Sequence, residues 1–294
     1  FLFVEGNKQA VEAAFASADH VTKLKVKVNR VTANTMEPRA CIGDYDQASG
    51  RYTLYAASQR PYGVRHGIAK HVFKVPETNV RVIAGDVGGS FGMKSGQYPE
   101  HHACLWASKQ IGRPVKWVCE RAEGHLSDYH DRDQVSEAEL ALDKDGTFLG
   151  IRIHNTCSVG AWLESGGLIT PSAHLGGFAG LYRTPAIYVE ASVVFTNAAP
   201  TGPFRGAGRP ETTYILERLI DTAAREMKID RAQIRRRNLI PPSAMPFKTG
   251  LTFTYDCGEF EKNMDMALKM GDVATFETRR AEAKSRGRLR GLGI

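Results

Sequence analysis

Two glycine-rich segments are the places where backbone and side chains of this sequence could together hold an anion. The first, Gly85-Asp86-Val87-Gly88-Gly89-Ser90-Phe91-Gly92-Met93-Lys94-Ser95, directly follows the apolar run NVRVIAG. Glycines let successive N–H groups approach a bound anion and form a concave nest. A phosphate loop would need glycine just before Lys-Ser, where Met93 stands, and the dinucleotide fingerprint G-x-G-x-x-G is missing. A tight structural turn and an anion or cofactor loop both remain open. The second segment, Gly202-Pro203-Phe204-Arg205-Gly206-Ala207-Gly208-Arg209-Pro210-Glu211, lies between a strand-like run and a helix-like one. Arginine in a glycine loop at a helix start suits an anionic ligand, because guanidinium and helix N-terminus both favour negative charge. A capped connection with a solvent-facing arginine is the plainer reading. Two such loops in one chain strengthen the case for a shared ligand.

Other polar clusters carry less. Gln59, in Ala57-Ser58-Gln59-Arg60-Pro61, would be an ordinary loop residue by itself. The stretch Glu123–Asp133 holds two histidines and three aspartates, but His125 and His130 are five apart and would not share a helix face. It reads as a polar exposed loop, and His101-His102 as surface. Five scattered cysteines without a CxxC pair read as buried reduced thiols, which points to a reducing compartment, the cytoplasm.

These residues need a frame, and the rest of the chain supplies one. Its 294 residues fit one large or two ordinary domains, and 42% hydrophobic with 24% charged residues is a globular composition. No apolar run approaches a membrane span. Of the net charge of +7, residues 279–290 carry six basic side chains against Glu282 alone. That run has no interleaved aromatic, so it reads as a solvated helix end or subunit-facing surface rather than a nucleic-acid footprint. Periodicity predicts helices over 7–18, 62–73, 99–111 and 210–227, the last continuing through IDRAQIRRRNL, and a helical segment after Pro241-Pro242. Strands are expected at 21–31, 51–57, 79–85 (buried), 115–119 and 188–196, with a hairpin around Asp145-Gly146. Hairpins and helices without regular βα alternation favour an α+β fold. The chain opens Phe1-Leu2-Phe3 without a basic-then-apolar leader, and Arg288–Ile294 looks like a strand beginning, so both ends read as cuts.

Taken in order, Met36-Glu37-Pro38-Arg39, Ser58-Gln59-Arg60-Pro61, Gly88–Lys94, Phe204–Glu211 and Arg235-Arg236-Arg237-Asn238-Leu239-Ile240 resemble the molybdenum-binding large subunit of the xanthine dehydrogenase, aldehyde oxidase and carbon monoxide dehydrogenase family. The resemblance runs from about residue 20 to the end. It implies a tail of a preceding domain at 1–18, a first cofactor-binding domain at 19–241 and the start of a second at 242–294. It further implies oxidation of a small-molecule substrate, an aldehyde or N-heterocycle, with water as oxygen source. Electrons would leave to 2Fe-2S and FAD on a small and a medium partner subunit, in a dimer of heterotrimers. The cofactor would be molybdopterin in its cytosine dinucleotide form, its metal held by the pterin and by no side chain. By position, Gln59, Gly89, Phe91, Gly92, Arg205 and Gly206 match residues around that cofactor. Ser95 and Ala207 match the substrate pocket, where xanthine-specific members carry glutamate and phenylalanine. Gly206 stands where copper-containing carbon monoxide dehydrogenases carry cysteine. The general-base glutamate is expected beyond Ile294. The competing reading is a non-catalytic glycine-loop anion- or nucleotide-binding domain.

Overall fold

The computed structural model describes every residue except His174. The chain begins with β1 (Leu2–Gly6), α1 (Lys8–Ala16), β2 (His20–Val28) and the short β3 (Val31–Thr32). A second group follows: β4 (Ala40–Asp46), β5 (Arg51–Ala56), α2 (Pro61–Gly67), β6 (Val80–Ile83), α3 (Pro99–Ile111), β7 (Val115–Val118) and α4 (Arg121–Ser127). After β8 (His130–Asp131) come the long strands β9 (Gln134–Leu142) and β10 (Phe148–Ser158), α5 (Ile169–Ser172) and β11 (Ala186–Val194). The chain then runs through α6 (Arg209–Met227), α7 (Arg231–Asn238), β12 (Phe247–Lys248), β13 (Thr254–Tyr255), α8 (Phe260–Met270) and α9 (Phe276–Ser285).

Two mixed sheets organise these elements, in the order β1-β11-β10-β9-β2 and β6-β5-β4-β7, so the fold is α+β. In β2 the lysines face out and meet acids directly across the ladder, Lys23 with Glu139 and Lys25 with Glu137. The intervening Thr22 and Val26 turn inward, the period-2 logic of a half-buried strand. Under this sheet α6 lays Ile215, Leu219 and Ala223, four residues apart and fully buried, against Leu140, Ile151 and Val189. The segment 1–18 supplies the edge strand β1 and a helix packed on the same sheet. In the second sheet β5 and β6 are parallel neighbours, which brings their C-terminal ends side by side. That pairing positions the site.

Several expectations are corrected. The helix from Pro61 widens into a π-helical turn at Ile68–Phe73, ended by Lys74 in the left-handed region. α6 and α7 are separate helices, because Lys228 turns left-handed (φ 56°) and Asp230 caps a new start. β6, expected to be buried, is an edge strand with only Val80 fully covered. Arg288–Ile294 forms no strand. Four cysteines are buried, but Cys257 is exposed.

Candidate functional site

Gln59 follows β5, and the first glycine loop follows β6, so the parallel pairing sets them in contact. The Gln59 Oε1 accepts from the Ser90 hydroxyl at 2.7 Å and from the Gly92 N–H at 2.9 Å. A backbone N–H can only donate, so the oxygen is the atom facing the loop, and the Nε2 amide has no hydrogen-bond partner among the described residues. The Gln59 N–H also donates to the Lys94 carbonyl (3.0 Å).

The second glycine loop is clamped to the first. The Arg205 N–H donates to the Phe91 carbonyl at 2.9 Å, and the Arg205 guanidinium lies 5.9 Å from the Phe91 ring centre. A Cβ at Gly92 (φ 105°) would sit 1.9 Å from the Pro203 carbonyl oxygen, so only glycine lets the two backbones approach this closely. Phe91 itself holds φ 54°, and Ala207 φ 44°. Such left-handed conformations cost non-glycine residues energy and persist only where the surroundings impose them. The outcome is an exposed face carrying Gln59, Phe91, Arg205 and Gly206, with Gly89 and Gly92 half-buried beside them.

Buried charge pairs brace both loops. The Lys94 Nζ, almost fully buried, donates to the Glu37 carboxylate (2.7 Å) and the Glu37 carbonyl (2.8 Å), and the Gly88 N–H donates to the same carboxylate. Burial pushes the Glu37 carboxyl up, but the hydrogen bonds from Lys94 and Gly88 outweigh it and hold it below its ordinary value. Under the second loop, the Asp131 carboxylate accepts from the Phe204 N–H at 2.8 Å. Arg132 donates to Glu211 (2.7 Å) and to the Arg205 carbonyl (3.1 Å). Burial, with Glu211 nearby, raises Asp131 to about 6 against the pull of backbone donors. Lys94, Glu37, Asp131, Arg132 and Glu211 were missed as site-supporting residues from sequence. The signal available was charge inside or beside a glycine loop, which also fits a solvated surface.

The stretch 123–133 is exposed only in part: Glu123, His125 and Ser127 face outward on α4, but Asp128 and Asp131 are buried, the former ion-paired at 2.6 Å with Arg39. Arg39 also pairs with Glu100 and lies 3.8 Å over the Tyr98 ring. His101, expected at the surface, is buried, and burial with His102 and Arg39 nearby pushes it down to about 4. The Arg235–Ile240 motif is structural. Arg235 bridges Glu217 and Asp221, while Asn238 accepts from the Phe148 N–H and donates to the Gly146 carbonyl, tying the hairpin turn to α7.

Ser95 and Ala207 are not brought together. The Ser95 hydroxyl donates to the Gly92 carbonyl (2.5 Å), and Ser95 lines a cleft of about 280 Å3 that Ala207 does not reach. Among the described residues, no group of three His, Cys, Asp or Glu could hold a metal ion. A metal at this face would have to arrive on a group bringing its own ligands. The donor set suits such a group when it is anionic: the free Gln59 amide, the Arg205 guanidinium and the N-terminus of the 19-residue α6 all favour negative charge.

Two glycine loops locked together on an α+β frame, with donors on their outer face, define a domain built to hold an anionic cofactor. The chain belongs to the molybdopterin cofactor-binding domain family, whose model matches residues 2–239. It is 34% identical over 97% of its length to the 6-hydroxypseudooxynicotine dehydrogenase complex subunit gamma of Paenarthrobacter nicotinovorans, covering 36% of that protein. It is 32% identical over its whole length to the carbon monoxide dehydrogenase large chain of Hydrogenophaga pseudoflava, covering 37% of it. The structure of quinoline 2-oxidoreductase from Pseudomonas putida 86 superposes on 98% of the chain with a TM-score of 0.91 at 31% identity, covering 36% of that chain. The chain thus spans about a third of the length of these relatives. Among the described residues, no helix is long and apolar enough to cross a membrane.

Proposed function

We propose that this chain is the first cofactor-binding part of a molybdenum hydroxylase that oxidises an aldehyde or N-heterocycle. The carrying observation is the Gln59 amide, whose oxygen is tied down by Ser90 and Gly92 on the loop that Arg205 clamps, leaving its Nε2 without a partner among the described residues. When bound, the molybdopterin cofactor supplies the two-electron redox chemistry. The chain's own residues position and polarise. Gln59 presents an amide donor, Phe91 and Gly92 fix the loop with Gly89 beside them, and Arg205 offers its guanidinium and Gly206 its backbone N–H to anionic charge. The carboxylates around the face, Glu37, Asp131 and Glu211, are each spent on a cation or an amide, so none is assigned as the base.

The reading extends to a cytosine dinucleotide on the pterin, to 2Fe-2S and FAD partner subunits, and to a domain division near Pro241, with 1–18 contributed by a preceding domain. The relatives named as a complex subunit and a large chain support a multi-subunit assembly. The test is metal analysis of the full-length protein made with its partners in a host competent for cofactor synthesis. Molybdenum near one per chain is expected. Stoichiometry near zero, with a folded protein, favours the non-catalytic anion-binding reading instead.

A further inference from the structure

The cleft lined by Ser95 holds a charge pattern that the cofactor face does not use. Its walls include Arg60, His66, His71, Gln97 and Ser165. The one carboxylate set directly behind the Gly96, Ser165 and Gly166 wall, that of the buried Glu164, is taken by the Ser165 hydroxyl at 2.5 Å and the Gly166 N–H at 2.6 Å. His66 is engaged with Glu77 at 2.9 Å, outside the cleft. Arg60 differs: its backbone N–H donates to the Ser58 hydroxyl, but its guanidinium has no carboxylate or carbonyl partner among the described residues. That guanidinium lies over bare glycine, with Nε and Nη2 at 3.7 and 3.8 Å from where a Gly63 side chain would begin. An exposed arginine with no carboxylate of its own, in a cleft whose one adjoining acid is already hydrogen-bonded, is a seat for an external anion, and its planar fork matches a carboxylate.

Position ties this seat to the reaction site. Arg60 is the residue after Gln59, so consecutive side chains serve the glycine loops and the cleft. At its other end the cleft reaches Ser95 and Pro203, the latter being the residue whose carbonyl presses against Gly92. At about 280 Å3 the space lies at the small end of ligand pockets, enough for one ring and its substituent. The geometry points to a single-ring aldehyde or N-heterocycle bearing a carboxylate as the substrate class. Arg60 grips the carboxylate, and the ring is directed toward the loops. This rests on the hydroxylase reading above.

The test uses the full-length protein with its partners and matched titrants: pyridine-3-carboxylate against pyridine-3-carboxamide, with inorganic phosphate as control. Binding is read by calorimetry, so the result does not depend on turnover. The carboxylate should bind roughly 10- to 100-fold tighter than the amide, the range of a charge-assisted hydrogen bond. Arg60→Ala should abolish that preference and Arg60→Lys restore part of it. In steady-state kinetics with 4-carboxybenzaldehyde against benzaldehyde, the Arg60→Ala loss should fall in KM rather than kcat. Equal affinity for the matched pair, an unchanged preference in Arg60→Ala, or phosphate binding as tightly as the ring carboxylate overturns the inference. Absence of molybdenum with the carboxylate preference intact would sink only the hydroxylase reading.

Discussion

Replacing Lys94 by methionine tests the brace beneath the first glycine loop. Methionine nearly keeps the volume, so packing is conserved and the change isolates the ammonium group. Two hydrogen bonds are lost, to the Glu37 carboxylate at 2.7 Å and to its carbonyl at 2.8 Å. Breaking a fully buried ion pair costs about 3–5 kcal/mol. The Glu37 side chain, however, is 37% exposed and keeps the Gly88 N–H, and its carbonyl keeps the Thr35 hydroxyl, so part of the loss is recovered. The expectation is a destabilisation of roughly 1.5–3 kcal/mol, or about 3–6 °C in the unfolding midpoint at roughly 2 °C per kcal/mol for a chain of this length. Because Glu37 is held below its ordinary value of 4.5, its contribution is complete above that pH and is lost as pH falls through the lowered value. The deficit of Lys94→Met should therefore be full at pH 7 and shrink in acid. Urea unfolding at both pH values measures it, and the double variant with Glu37→Gln should be no worse than Lys94→Met alone. A change within about 0.5 kcal/mol at pH 7, the range of an ordinary surface substitution, would refute the idea that this pair holds the loop.

Gly92→Ala should separate the two loops. Its Cβ meets the Pro203 oxygen at 1.9 Å on a left-handed backbone, a cost of roughly 3 kcal/mol or more, read as both a lower unfolding midpoint and lost molybdenum in the loaded protein. Gln59→Ala removes the exposed donor together with the acceptor of the Ser90 and Gly92 bonds while leaving the sheets and helices, so circular dichroism should be unchanged and turnover should drop roughly 100-fold. Unchanged turnover would remove Gln59 from the site. Asp131→Asn addresses pH: a carboxyl raised by burial to about 6 penalises the folded state as pH rises through that value. The variant should flatten the stability profile between about pH 4 and pH 6, the span from its unfolded to its folded titration, and an unaltered slope would contradict the assignment.

What the sequence made legible follows a physical division. Period-2 and period-3.6 patterning located the Lys-bearing strand β2, the hairpin around Asp145-Gly146 and the α3 helix at its observed limits, because each buries one face and the pattern records that face. The two glycine loops could be seen but not joined. Nothing local in the order of residues states that Gly92 presses on Pro203, 111 positions away, since that contact arises from two sheets and not from either segment. The same limit explains Asp128, Asp131 and His101. A polar stretch reads as solvated unless its partners are known, and here they are Arg39, the Phe204 N–H and the packing around Tyr98. Breaks inside helical runs were equally hidden, because Lys228 adopts its left-handed turn where the chain must swing from α6 into α7.

The buried charges also explain why the motifs carrying the family resemblance are so largely non-contacting. Glu37 and Arg39 face inward to Lys94 and Asp128, while Arg235 and Asn238 fasten helix to helix and hairpin to helix. A loop that must hold φ values such as 54° at Phe91 and 44° at Ala207 stores strain that a soft surround would release. Charge pairs placed under the loops, with little water to replace a lost partner, supply that rigidity directionally where an apolar layer could slide. The exposed face can then stay sparse, with one amide, one guanidinium and a helix end. Its donors are held in place before any ligand arrives, and their reorganisation adds no further cost when it does.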